Sequence, residues 1–210
     1  MLETEIDVGK TALLVIDMQN DLIKVQVGPG LELTLMAQKK GIIGSTARVI
    51  AAARRVGMPV IYSNHVHRAD NADTVPTITD QMLQGISEDW SGTLIEGTPG
   101  AGVVAELAPV KGDHVINKRK GSAFYATDLE LMLRAMGKDT VIMAGVVTNG
   151  CIAATVQGAR ERDFNVIIVS DGCAASLAED DKHYLTRVFP YSGRVRTSDE
   201  VVAAITRADD

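Results

Sequence analysis

The amino-acid sequence predicts an α/β protein of the three-layer, doubly wound kind, with a six-stranded parallel sheet between two layers of helices. Three observations carry this. Short apolar runs rich in β-branched residues alternate with longer stretches of helical period, the pattern of βα units around a sheet buried on both faces. Parallel strands joined by helical crossovers restrict the topology, because such crossovers are short and right-handed. The chain has 210 residues, 46% hydrophobic and 23% charged, enough for one sizeable core and too few for two full domains. Residues 1–210 therefore read as a single domain.

The strands follow in order as Ala12–Asp17, Met58–Ser63, Asp113–Asn117, Thr140–Gly145, Asn165–Ser170 and Gly193–Thr197. Helices fit between them. Ile42–Val56 ends on Arg54 and Arg55, cations that suit the negative end of a helix dipole. A short helix is expected over Gly102–Leu107, and another over Asp128–Met136 capped by Thr127. Further helices are read over Gly150–Arg162, Asp180–Phe189, and Asp199–Thr206 behind a Ser198 N-cap. Met18–Lys40 and the stretch from His65 to about Gly100 read as loops too long to be simple connections, so both are candidate lids. The pairs Lys39-Lys40 and Arg54-Arg55 read as solvated charge. No repeat or linker divides the chain.

Charge and cysteine content exclude several functions. Lys plus Arg is 21 and Asp plus Glu is 27, a net charge of −6, which does not favour a polyanion such as nucleic acid. The first ten residues carry charges, and no apolar run approaches the ~18 residues needed to cross a bilayer. A cytoplasmic protein with no membrane partner is expected. Cys151 and Cys173 are too few for a disulfide framework and lack metal-type CxxC spacing, so each reads as an individual thiol.

A doubly wound sheet binds ligands at the C-terminal ends of its strands. Three polar residues fall there: Asp17 ends the first strand, Lys118 follows the third, and Cys151 enters the helix after the fourth. A thiol at a helix N-terminus beside an ammonium is expected to have its pKa lowered toward the nucleophilic thiolate. A neighbouring carboxylate can take the thiol proton and pass it to a departing nitrogen. Each residue alone also has an ordinary reading: a turn former, a solvated lysine, a small buried filler.

Three segments carry a family resemblance: ALLVIDMQNDL over Ala12–Leu22, VINKRKGSAFYATDL over Val115–Leu129, and AGVVTNGC over Ala144–Cys151. In this order they resemble the isochorismatase-like cysteine hydrolases, which include nicotinamidases, N-carbamoylsarcosine amidase, biuret hydrolase and ureidoacrylate hydrolase. The resemblance implies the strand order 3-2-1-4-5-6, which sets Asp17 and Cys151 across the switch point between strands one and four. It implies a catalytic triad of Asp17, Lys118 and Cys151, and a cis peptide between Val146 and Val147. It further implies an oxyanion hole made by the backbone N–H groups of Val147 and Cys151, with Gly145 and Gly150 giving the backbone room. No cofactor is implied. A homo-oligomer, dimer or tetramer, is, with Met18–Lys40 as a contact.

Departures from relatives narrow the chemistry. The vinyl-ether-cleaving members typically lack the cysteine, so Cys151 favours C–N cleavage. Nicotinamidases usually carry an Asp-x-His metal set with a later histidine; here His65-Val66-His67 keeps the HxH without the acidic ligand, and no bound metal is expected. Leu22 stands where nicotinamidases place a ring-stacking Phe. Asn64 and His65 are read as polar substrate contacts, and Trp90 and Phe124 as aromatic ones, with Tyr125 beside the latter. Cys173 reads as packing. Gly97–Gly102 lacks the strand and helix context of a nucleotide loop. The expected function is a cysteine amidohydrolase acting on a small amide, of ureido or carbamoyl type, through a thioester. The alternatives are a metal-containing nicotinamidase-like amidase and a catalytically idle binding module of the same fold.

Overall fold

The computed structural model describes residues 5–28, 30–70, 72–73 and 92–208. Six strands form one parallel sheet: β1 Thr11–Ile16, β2 Val60–His65, β3 His114–Lys118, β4 Thr140–Val146, β5 Asn165–Ala174 and β6 Arg194–Arg196. Their order is β3-β2-β1-β4-β5-β6, the order the resemblance implies. Every residue of β1 and β4 is buried, which is why these strands read as unbroken apolar runs. Among the described residues the α-helices are α1 Asn20–Ile23, α2 Leu31–Lys40, α3 Ile42–Arg55, α4 Leu129–Ala135, α5 Ala153–Arg160, α6 Ala178–His183 and α7 Ser198–Arg207.

Side chains alternate across the sheet and so feed two cores. Leu13 and Val15 of β1 pack with Leu33 of α2, Val49 and Ala53 of α3, and Val201 and Ile205 of α7. Leu14 and Ile16 face the other way, toward Leu129 and Leu133 of α4 and Val156 and Ala159 of α5. A one-residue slip of β1 would exchange these faces. Its register, Ile16 opposite Ser63 on one side and Gly145 on the other, brings the ends of β1, β2 and β4 to one level.

Several expected elements are corrected. Met18–Lys40 is not a simple loop: it holds α1 and α2. The leucines at 31, 33 and 35 alternate as in a strand, but Leu33 is buried while Leu35 is exposed, and left-handed glycines at 30 and 41 flank the helix. The Gly102–Leu107 helix reduces to one 3₁₀ turn, Ala105–Leu107. The N-cap of α7 is Thr197, in a capping box with Glu200; Ser198 is instead buried, its hydroxyl donating to Asp171 at 2.6 Å. Asp128 occupies the N-cap position of α4, although the Thr127 hydroxyl accepts the Leu129 N–H at 3.3 Å. The segment expected as a helix over Asp180–Phe189 starts at Ala178, then passes through a π-turn over Tyr184–Val188 and a 3₁₀ turn over Phe189–Tyr191 containing Pro190. Proline lacks the N–H that an α-helix needs there.

Two of the basic residues read as solvated are not. Lys40 donates to the buried carboxylate of Asp181 at 2.5 Å, and Arg54 to Asp113 at 2.5 Å and to the Tyr62 hydroxyl at 3.2 Å. Their partners lie 141 and 59 residues away in sequence, beyond the reach of local pattern.

Candidate active site

β1 delivers Asp17 just beyond its last residue. The Asp17 N–H extends the ladder to Ser63 O at 2.8 Å. Its φ of +54° then turns the chain sharply, a conformation Asp tolerates better than most residues. The side chain is 1% exposed. β3 ends on Lys118, whose side chain is 0% exposed, and the parallel register places His65 of β2 opposite it.

Cys151 lies after β4 in a π-turn, Thr148–Ile152, that precedes α5, so the expected helix over Gly150–Arg162 begins only at Ala153 and ends at Arg160. The bond between Val146 and Val147 is cis. The Val147 carbonyl accepts the N–H groups of Gly150 at 3.0 Å and Ile152 at 3.2 Å, which folds the turn around Cys151. Thr155 holds it from within α5: its hydroxyl donates to Cys151 O at 2.7 Å and accepts the Ala123 N–H at 3.0 Å. Gly145 has φ +134°, and a Cβ there would sit 1.9 Å from Ile16 O, so only glycine lets β4 come this close to β1.

The Lys118 ammonium is the hub. It lies 2.9 Å from Asp17 Oδ2 and 3.2 Å from Cys151 Sγ, donates to Lys120 O at 3.1 Å, and is 3.2 Å from His65 Nδ1. The ligand atoms of Asp17, His65 and Cys151 all lie within 4.8 Å of one another. Such a set could hold a cation, and the one in contact with all three is the lysine's own.

Burial sets the protonation states. It pushes the Cys151 thiol up to about 12, and the Asp17 carboxylate pushes it the same way against Lys118. The expected lowering toward a resting thiolate is therefore corrected: desolvation, joined by the neighbouring anion, outweighs the ammonium. Burial likewise raises Asp17 above its ordinary value despite Lys118. Burial first, then the adjacent ammonium, lowers His65 to about 3. His65 is thus neutral near pH 7, and a neutral ring facing an ammonium with Nδ1 accepts there and carries its proton on Nε2. One cation thus faces two acids whose pKa values burial raises, and a proton can pass between them without changing the charge of the site.

Asn64 is buried at the end of β2, its Oδ1 without a hydrogen-bond partner. Leu22 of α1 is buried in the core beside Met18 and Leu33. Phe124 is also buried, its ring centroid 5.5 Å from that of Phe164. Trp90 lies outside the described residues. Cys173 is fully buried on β5, opposite Gly145. The Gly97–Gly102 stretch braces α1, accepting the N–H groups of Asp21 at Gly100 O and Asn20 at Gly102 O.

One positioning residue was missed by sequence reasoning. Gln19, fully buried, donates through Nε2 to His65 O and accepts the His65 N–H at Oε1, both at 2.9 Å, which fixes the backbone of β2 at the site. Its place inside the MQNDL stretch, two residues after Asp17, was the available signal.

Residues 11–200 match the family model of the isochorismatase domain. The chain belongs to the isochorismatase family. It is 30% identical over 203 residues to the isochorismatase family protein YecD of Escherichia coli, covering 96% of this chain and 99% of that one. Among solved structures of the family's fold, a cysteine hydrolase from Pseudomonas syringae pv. phaseolicola superposes with a TM-score of 0.83 at 29% identity, covering 98% and 97% of the two chains. N-carbamoylsarcosine amidase from Thermoplasma acidophilum gives a TM-score of 0.72 at 34% identity, covering 90% and 97%. This isochorismatase-family chain is accordingly a hydrolase, and among its described residues no helix is long and apolar enough to cross a membrane.

Proposed function

We propose that the protein is a cysteine amidohydrolase that cleaves the C–N bond of a small amide, of ureido or carbamoyl type, through a thioester on Cys151. The observation that carries this reading is the single ammonium of Lys118 in contact with both Asp17 and Cys151. Similarity to an N-carbamoylsarcosine amidase supports the substrate class.

In the resting site Cys151 holds its proton and Asp17 is the paired anion. As the sulfur approaches the carbonyl carbon, the thiol proton passes to Asp17 and the Lys118 ammonium follows the negative charge to sulfur. The S–C bond forms and the carbonyl π electrons move to oxygen, where the N–H groups of Val147 and Cys151 receive them, a contribution of about 3 kcal/mol per donor. Asp17 returns its proton to the nitrogen, the C–N bond breaks, and ammonia or an amine leaves. Asp17 then takes a proton from water, which attacks the thioester and releases the acid and the thiol. Neutral His65, with its proton on Nε2, and Asn64 supply polar contacts to the substrate.

The metal-bearing alternative would rest on His65 Nε2 and on His67, because Nδ1 of His65 is engaged by Lys118, and it predicts sensitivity to chelators. The homo-oligomer belongs to the same reading and is tested by sedimentation velocity. The decisive screen measures ammonia release from N-carbamoyl amino acids, biuret, ureidoacrylate-like amides and nicotinamide. Turnover of a ureido or carbamoyl compound, abolished in Cys151→Ala with substrate binding retained, is expected. Full activity of Cys151→Ala would refute the assignment.

A further inference from the structure

We propose that Asp181, held in place by Lys40, positions the turn that carries Cys151, and so controls the reactivity of that thiol without touching substrate. The inference rests on the reading of Cys151 as the nucleophile.

Asp181 lies on α6 and is 6% exposed. Its two oxygens serve different elements. Oδ1 accepts the Thr148 hydroxyl at 2.6 Å, and Oδ2 accepts the Lys40 ammonium at 2.5 Å. Lys40 closes α2 and also donates to Ser170 O of β5 at 3.0 Å, where the β4–β5 register shifts between Met143 and Gly145. Alongside, Asn149 Nδ2 donates to Asp180 Oδ2 at 3.1 Å. Thr148 and Asn149 are the residues between Val147 and the Gly150-Cys151 pair. Two successive side chains of the turn are thus tied to two successive carboxylates of α6, and the buried one is tied onward to α2 and the sheet.

A buried carboxylate holds its partners firmly because losing either leaves a desolvated charge unpaired. Thr148 is itself fully buried, so without Asp181 its hydroxyl would lose its partner and the turn its outer anchor. The 3.2 Å contact between Cys151 Sγ and Lys118 depends on that turn, and reactivity falls steeply with small displacements of a nucleophile.

The test is alkylation of the full chain by iodoacetamide at pH 7.5, read at the Cys151 peptide by mass spectrometry, with melting temperature measured on the same samples. Thr148→Val and Asp181→Asn are expected to slow alkylation of folded protein by about tenfold. Thr148→Ser and Lys40→Arg, which keep the hydroxyl and the cation, are expected to stay within about twofold of the wild-type rate. A brace that supports stability alone would lower the melting temperature and leave the folded-state rate unchanged. Thr148→Val removes no charge and serves if Asp181→Asn fails to fold. Rates within twofold of wild type for both Thr148→Val and Asp181→Asn, while Lys118→Met, which removes the cation that favours the thiolate, is slow, would overturn the positioning role alone. An unchanged rate in Lys118→Met would instead sink the nucleophile reading.

Discussion

At the residue scale, the meeting of Asp17, Lys118 and Cys151 was legible because strand ends in this fold face the ligand and because the flanking segments are distinctive. Their protonation was not legible. A sequence shows that an ammonium and a helix N-terminus are near a thiol; it does not show how deeply the thiol is buried or that the carboxylate lies within 4.8 Å of it. Both push the thiol up, to about 12, so under the proposed mechanism the proton is removed during the reaction and an ionised Asp17 removes it. The pH dependence follows with a definite sign. Activity should rise with pH through the raised pKa of Asp17, placing the acid limb above the ordinary carboxylate value of 3.8. It should fall only where Lys118, itself raised above 10.5, loses its proton. A kcat/KM profile measured from pH 4 to 11 checks this; an alkaline limb near pH 7 would show instead that a group outside the pair controls the rate. Lys40 shows the same limit of sequence reading from another side, since its buried partner is 141 residues distant.

At the scale of elements, all six strands were legible, the central β1 and β4 because continuous burial on both faces leaves continuous apolar runs, although the edge strands β3 and β6 are partly exposed. Helix α2 was not, because leucines at every second position imitate a strand and only the packing of Leu33 and Ala37 onto the sheet decides between the two periods. The junction of β1 with β4 does most to place the site, since it brings Asp17 and the turn of Cys151 to one level. Gly145 is the element-scale test. Its φ of +134° is poorly accessible to other residues, and a Cβ would meet backbone rather than a movable side chain. Gly145→Ala should cost about 3 kcal/mol or more, the sum of overpacking and backbone strain. Urea unfolding measures it; a loss under about 1 kcal/mol would mean that the strands separate without penalty. Thr155 illustrates what a sequence conceals inside a regular helix: it appears as one more residue of α5, yet it joins the loop after β3 to Cys151.

For the whole molecule, the strand order and the single core on each face of the sheet connect stability to the site. His65 is neutral in the folded chain down to about pH 3, against an ordinary value of 6.5. Between those values the unfolded chain binds a proton that the folded chain excludes, so this residue makes stability fall as pH drops from about 6.5, by at most about 1.4 kcal/mol per pH unit. Asp17 opposes the trend, because its raised pKa makes the folded chain keep a proton that the unfolded chain has lost. The difference between wild type and His65→Asn isolates the imidazole: the variant's stability should rise less steeply between pH 4.5 and 6.5 in denaturant titrations, and equal slopes would contradict a neutral His65. The central claim remains the covalent step on Cys151. Its most direct test is acid quenching during turnover of a ureido or carbamoyl substrate, followed by peptide mass spectrometry. The expected result is a transient adduct on the Cys151 peptide equal in mass to the substrate less ammonia or its leaving amine, absent from Cys151→Ala. Turnover of that substrate at an undiminished rate by Cys151→Ala, with no adduct on the wild-type peptide at any quench time, would contradict the account.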